Sequence, residues 1–212
     1  MKARLYKVRA PKKDIKLPIQ ITYSILVLLF GIVLGVFSKW LDNTPINDTI
    51  WWQHILGILD LGNVFSEIAI WLLIALAISV YSSTTLRACL NVFLFFAGMC
   101  VSYHLYTIMF AGFNPQRYMM IWYGFTLLSP ILAFICWYGK GSTKVSLIID
   151  TLILAVMISV CFAVGFRYFD IVRIINVMIF VGSAVILYNN PKQTVISLVG
   201  AVILSYAFTM FI

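Results

Sequence analysis

The 212-residue chain is 63% hydrophobic and only 10% charged, with a mean hydropathy of +1.02 and a formal net charge of +8. A soluble domain is about 45–50% apolar and about 25% charged, so this composition excludes a soluble globular protein. The apolar residues come in continuous runs of about twenty, the length that crosses a hydrocarbon core of about 30 Å, and not in the alternation of a β-barrel strand.

The expected fold is therefore all-α: a polytopic integral membrane helix bundle of about seven transmembrane helices with one amphipathic interfacial segment. It is read as a basic tail over 1–17 and a single transmembrane domain over 18–212.

Seven of the fifteen basic residues fall in the first sixteen positions: Lys2, Arg4, Lys7, Arg9, Lys12, Lys13 and Lys16. A basic tail before an apolar run is a topology signal and an attractor for anionic lipid headgroups. No aromatic interleaving accompanies it, so no nucleic-acid partner is expected. The first apolar run is too long for a signal peptide, and no small-residue cleavage site follows it.

The first span is expected over 18–40. It carries Gly31 and Gly35, a GxxxG pair that allows close backbone approach to another helix, here within the bundle. The connection 41–62 holds a short apolar stretch, 50–61, containing Trp51 and Trp52. It is too short to cross, and tryptophan favours the membrane surface, so it is read as interfacial, with a re-entrant segment as the alternative.

Spans two and three, over 63–81 and 86–108, form a hairpin about Ser82-Ser83-Thr84-Thr85. Glu67 and His104 lie near the free ends of that hairpin. A rise of about 1.5 Å per residue puts both at one depth. Span four, over 117–138, follows Asn114-Pro115, a cap with proline at the first helical position. Ser129-Pro130 near its middle predicts a kink. Span five, over 145–166, carries Asp150 about one and a half turns inside its boundary. A tight turn at 167–170 leads to span six, over 171–188. A second Asn-Pro start, Asn190-Pro191, opens span seven, over 193–212.

Orientation follows the excess of Lys and Arg in short loops. With the N-terminus in the cytoplasm, that side holds the tail, Arg87, Lys140, Lys144 and Lys192; the other side holds Lys39, Arg117, Arg167 and Arg173. The expectation is N-terminus in and C-terminus out, in a bacterial cytoplasmic membrane.

Two groups of polar residues are candidate sites. The outer group is Asp60, Glu67, His104 and Arg117, with His54 nearby and Tyr103 and Tyr106 flanking His104. An ionisable group inside a span is costly and marks function by default. The group reads either as a ligand or proton contact or as a Glu–His or Glu–Arg contact that holds the hairpin. The inner group is Asp150 with Arg87, Lys144 and Asn91. Asp150 reads either as an ion pair with Arg87 or Lys144 or as a proton or cation carrier.

Cys89, Cys100, Cys136 and Cys161 all fall in apolar runs without CxxC spacing and are expected to be free thiols. Two histidines and no HExxH motif leave no metal site, and no nucleophile elbow or phosphate loop is present, so neither a cofactor nor an enzyme activity is expected. Two function classes stay open. One is a small-solute or ion transporter, or a substrate-binding membrane subunit. The other is a non-catalytic scaffold, sensor or regulatory subunit acting through a membrane protein partner.

Overall fold

A computed structural model describes residues 6–11, 15–45, 49–165 and 167–208. Lys2, Arg4, Lys12 and Lys13 of the tail and the last four residues lie outside the described residues. The chain is almost entirely helical. In order come α1 (Leu17–Asn43), α2 (Trp51–Ile58), α3 (Leu61–Ser66), α4 (Ile68–Tyr81) and α5 (Thr85–Tyr106), the last continued by a π-helical turn, Thr107–Ala111. After it come α6 (Gln116–Gly139), α7 (Lys144–Cys161), strands β1 (Ala163–Gly165) and β2 (Tyr168–Asp170), α8 (Ile174–Leu187) and α9 (Pro191–Phe208).

Five of these helices are long and apolar enough to cross a membrane: α1, α5 with its π turn, α6, α7 and α9. The expected second and sixth spans differ from this. Both α4 and α8 are apolar helices of 14 residues, about 21 Å long at 1.5 Å per residue. Span two is interrupted at Glu67, whose backbone is extended at φ −88° and ψ 153° and separates α3 from α4. Span five stops at Cys161, because β1 and β2 follow it as an antiparallel pair, Ala163 opposite Asp170 and Gly165 opposite Tyr168. The stretch 50–61 is not one helix. Asp60 adopts the left-handed conformation, φ 50°, and parts α2 from α3.

The chain forms two compact units. Unit 1 comprises residues 1–13, 68–88 and 133–212; unit 2 comprises 14–67 and 89–132.

In unit 2, α1 packs on the central part of α5 through small residues. A Cβ at Gly31 would collide with the Phe95 carbonyl, and one at Gly35 with the Met99 carbonyl and Ser102 Oγ. The GxxxG pair therefore does what its spacing predicts. Ser24 Oγ donates to Asn91 Oδ1 at 2.6 Å, and Ser102 Oγ donates to the Ile32 carbonyl at 3.0 Å. Residue numbers rise together along this contact, so α1 and α5 run parallel.

Proline 130 lies inside α6, which runs on through it. A proline leaves the carbonyl four residues back without its N–H. Here Ser129 Oγ donates to that Thr126 carbonyl at 2.8 Å. Ser129 is thus the proline's substitute donor.

In unit 1, α9 packs along α7, α8 packs on α4 and α7, and β1 contacts both α7 and α9. One end of the unit gathers the C-termini of α4, α6 and α8 with the N-termini of α7 and α9. The last carbonyls of a helix have no partner within it and carry partial negative charge. Cationic and polar side chains cap them here. Arg9 donates to the carbonyls of Trp137 and Val80, and its guanidinium lies 4.3 Å from the centre of the Trp137 ring. Lys140 donates to the carbonyls of Ile186 (2.7 Å) and Tyr188 (2.6 Å), and Trp137 Nε1 donates to the Ser82 carbonyl. The tail residues Val8 and Arg9 are part of this packing, a role beyond the topology and lipid readings of the basic tail.

Candidate functional site

The inner site is built around Asp150 at the capped end of unit 1. Thr143 opens α7, its side chain accepting from the Ser146 N–H. Asp150 follows six residues beyond Lys144, about 9 Å along the axis, and is 3% exposed. Helix α9 starts as its Asn-Pro pair predicts, with the Gln193 N–H donating to Asn190 Oδ1 at 2.8 Å. That start sets Gln193 against α7. Its Nε2 donates to Asp150 Oδ2 at 3.0 Å and to the Gly141 carbonyl at 3.2 Å. Asn189 Nδ2 also donates to the Gly141 carbonyl, at 2.9 Å.

The other carboxylate oxygen, Asp150 Oδ1, is buried without a hydrogen-bond partner. It lies against Gly139, where a Cβ would sit 2.8 Å from it and 3.2 Å from Leu187 Cδ2. A side chain at Gly139 would have to displace the carboxylate.

Neither ion pair expected for Asp150 forms. Lys144 is exposed at the start of α7, and the Arg87 N–H donates to Thr84 Oγ1 at the start of α5. Lys39 and Asp42, in unit 2, do form an ion pair, at 3.5 Å. Lys140 is close enough to feel Asp150, but its ammonium is spent on backbone carbonyls. Burial and the nearby charge of Arg9 push the Lys140 ammonium below the usual lysine range, and Asp150 opposes them in part. Burial likewise lowers Arg9. Asn91 belongs to unit 2 and is bonded to Ser24.

The outer group lies in unit 2, and its members do not form one cluster. His104 Nδ1 lies 2.8 Å from the Tyr123 hydroxyl, and Nε2 lies 2.9 Å from Asn114 Oδ1. With Asn114 Oδ1 as acceptor, the proton sits on Nε2 and Tyr123 donates to Nδ1. Both ring nitrogens are used, so His104 makes no bond to Glu67. Asn114, expected to cap α6, holds His104 with its side chain. Glu67 is half-buried at the α3–α4 break, its N–H donating to the Asn63 carbonyl at 3.1 Å. Asp60 Oδ1 accepts from Asn63 Nδ2 at 2.7 Å. Arg117 is exposed in the first turn of α6, and His54 is exposed on α2.

The charged centre of unit 2 is a group that the sequence reading treated as loop and topology residues. Lys39 is 7% exposed. Its ammonium lies 3.5 Å from Asp42 Oδ2 and over the rings of Tyr103 and Phe113, at 5.4 and 5.5 Å. Tyr103 donates its hydroxyl to Asp42 Oδ2 at 3.0 Å, and Ser66 donates to Oδ1 at 3.2 Å. The i, i+3 spacing of Lys39 and Asp42 was the available signal, since it places both on one face of a helix extending past residue 40. This group is internally matched: one cation, one carboxylate, and hydroxyls on the remaining lone pairs. The Asp150 group is not, because one carboxylate oxygen has no donor.

No protein-family model matches the chain, and no curated protein and no solved structure is significantly similar to it.

Proposed function

We propose that the protein is a multi-pass membrane transporter or solute-binding membrane subunit in which Asp150 takes part in binding or relaying a proton or small cation. The observation that carries this reading is Asp150 itself: a carboxylate inside an apolar helix, 3% exposed, with one oxygen held by a neutral amide and the other unpartnered. A charge in such a place costs several kcal/mol when left unpaired, so a sequence selected only for stability would favour an apolar or neutral residue. The residues Asp60, Glu67, Tyr103, His104 and Arg117 of unit 2 are proposed as further solute or proton contacts.

The reading includes seven crossings, with α4 and α8 extended by their apolar flanks. Parallel packing of α1 and α5 supports it, because the chain must return between them. The excess of Lys and Arg in the short loops favours the N-terminus in the cytoplasm, which puts the basic tail against anionic headgroups, in a bacterial cytoplasmic membrane.

A second reading, a scaffold, sensor or regulatory subunit, is favoured by the carbonyl-capping at the Asp150 end, which would serve a purely structural clasp equally well. Native mass spectra of the protein in mild detergent separate the two. Transport or solute binding predicts a bound small molecule that is lost in Glu67→Gln or Asp150→Asn. A co-purifying protein at fixed stoichiometry, indifferent to both substitutions, would favour the scaffold.

A further inference from the structure

Among the described residues three buried side-chain oxygens have no hydrogen-bond partner: Asp150 Oδ1, Ser197 Oγ and Asn176 Oδ1. All three lie in unit 1. Two of them share a level. Helices α7 and α9 start at the same end of the unit and pack along each other. Asp150 is six residues beyond the first residue of α7, and Ser197 six beyond the first residue of α9. Each is therefore about 9 Å in from that end.

Ser197 also lies one turn beyond Gln193, on the helix face that Gln193 turns toward Asp150. Its burial, 1% exposed, places it in the packing of unit 1. Other serines in the unit turn their hydroxyls back onto their own helices. Ser159 donates to the Ala155 carbonyl, Ser183 to Phe180 and Ser205 to Val202. Ser197 does not, although this is the usual way to satisfy a hydroxyl in an apolar helix.

We infer that Asp150 Oδ1 and Ser197 Oγ are ligands of a bound monovalent cation between α7 and α9. The inference rests on the reading of Asp150 as an ion site and names the ion's class. Carboxylate, hydroxyl and carbonyl oxygens are the donors hard cations take. The single carboxylate matches a single positive charge; among the described residues no group of three acidic, His or Cys side chains stands ready for a transition metal. A cation accounts for both orphan oxygens together, whereas a proton on Asp150 would leave the Ser197 hydroxyl as it is. The Lys140 ammonium is committed to the end of α8. Gln193 holds Oδ2 and so aims the carboxylate.

The test is thermal unfolding in mild detergent at constant ionic strength, with choline chloride replaced stepwise by NaCl or by KCl. The expected result is a saturating rise in melting midpoint with at least one alkali chloride. In Ser197→Ala the half-saturating concentration rises about tenfold, the equivalent of about 1.4 kcal/mol, with the choline midpoint unchanged. Asp150→Asn abolishes the rise; if that variant fails to fold, Ser197→Ala still decides. Equal curves in alkali and choline salts overturn the inference, as does a rise that Ser197→Ala leaves unaltered. Stabilisation by acid alone overturns it in favour of a proton. Because this readout is binding, a protein that binds the cation without moving any solute keeps the site and loses only the transport reading.

Discussion

Gln193 Nε2 donates to Asp150 Oδ2 at 3.0 Å across 43 residues of sequence, and the same amide holds the Gly141 carbonyl. One side chain thus ties α9 both to the buried carboxylate and to the loop before α7. Gln193→Leu removes both bonds and leaves the carboxylate with no donor on either oxygen. The expected loss is about 1–2 kcal/mol, the upper range for a polar contact between membrane helices, read as a lower unfolding midpoint in detergent. Adding Asp150→Leu should restore most of it, because the buried charge left without a donor is gone.

The contact of α1 with α5 is backbone against backbone at Gly31 and Gly35, where an added Cβ meets carbonyls that cannot swing aside. Gly31→Ala and Gly35→Ala should each destabilise by about 1–3 kcal/mol, as overpacking does. Gly124, in α6, has nothing within 4 Å of its would-be Cβ. Gly124→Ala should be neutral or stabilising by up to about 1 kcal/mol through helix propensity. Size-exclusion profiles and thermal midpoints of the three variants check the contrast.

Lys140 gives a pH dependence of definite sign. Burial, then the charge of Arg9, lowers its pKa below the ordinary 10.5 in the folded protein, with Asp150 opposing. The protonated form is therefore penalised by folding. The penalty is whole below the folded pKa, shrinks as pH climbs toward 10.5, and vanishes above it. The difference in midpoint between wild type and Lys140→Gln should therefore shift in favour of wild type as pH rises through that window. A difference that moves the opposite way contradicts the assignment.

Topology has its own test. Single cysteines at Asn43, Asn114 and Tyr168, all exposed, should react with an impermeant maleimide from outside in a cysteine-free background. On the inner side the loop before α7 offers Gly141 and Ser142, but a side chain added at Gly141 would strike Ser146 Oγ and the Val8 carbonyl. Ser142 is exposed and is the inner reporter. Labelling of Ser142→Cys from outside would overturn the orientation.

The helical class, the α1 glycine pair and the Asn190 cap were legible because each rests on local chemistry: run length, small-residue spacing and a side chain three residues from an N–H. Asp150 stood out for the same reason, being an acid in an apolar run. What local chemistry could not supply was which partner each polar group finds. Asp150 meets Gln193 and not Arg87 or Lys144, and His104 meets Tyr123 and Asn114 and not Glu67. Those pairings depend on helix rotation, which hydropathy does not encode when a helix is apolar on every face. The break at Glu67 and the strand pair after Cys161 were hidden because apolar residues continue across both, so run length overstated the second and fifth spans. Asp42 was assigned to the loop because polar turn residues follow it, and Lys39 was read only as an orienting charge at the end of the first span, although α1 continues to Asn43.

The most direct measurement is sodium uptake by proteoliposomes, using radiolabelled sodium and an inward gradient, for wild type and Asp150→Asn at equal reconstituted protein. The account predicts uptake above protein-free vesicles that the substitution abolishes while the variant still elutes as a folded species. With sodium inactive, the same assay is run with radiolabelled rubidium as the potassium analogue; uptake equal in the two proteins, or no greater than in protein-free vesicles for both ions, would contradict a cation-transport role for Asp150.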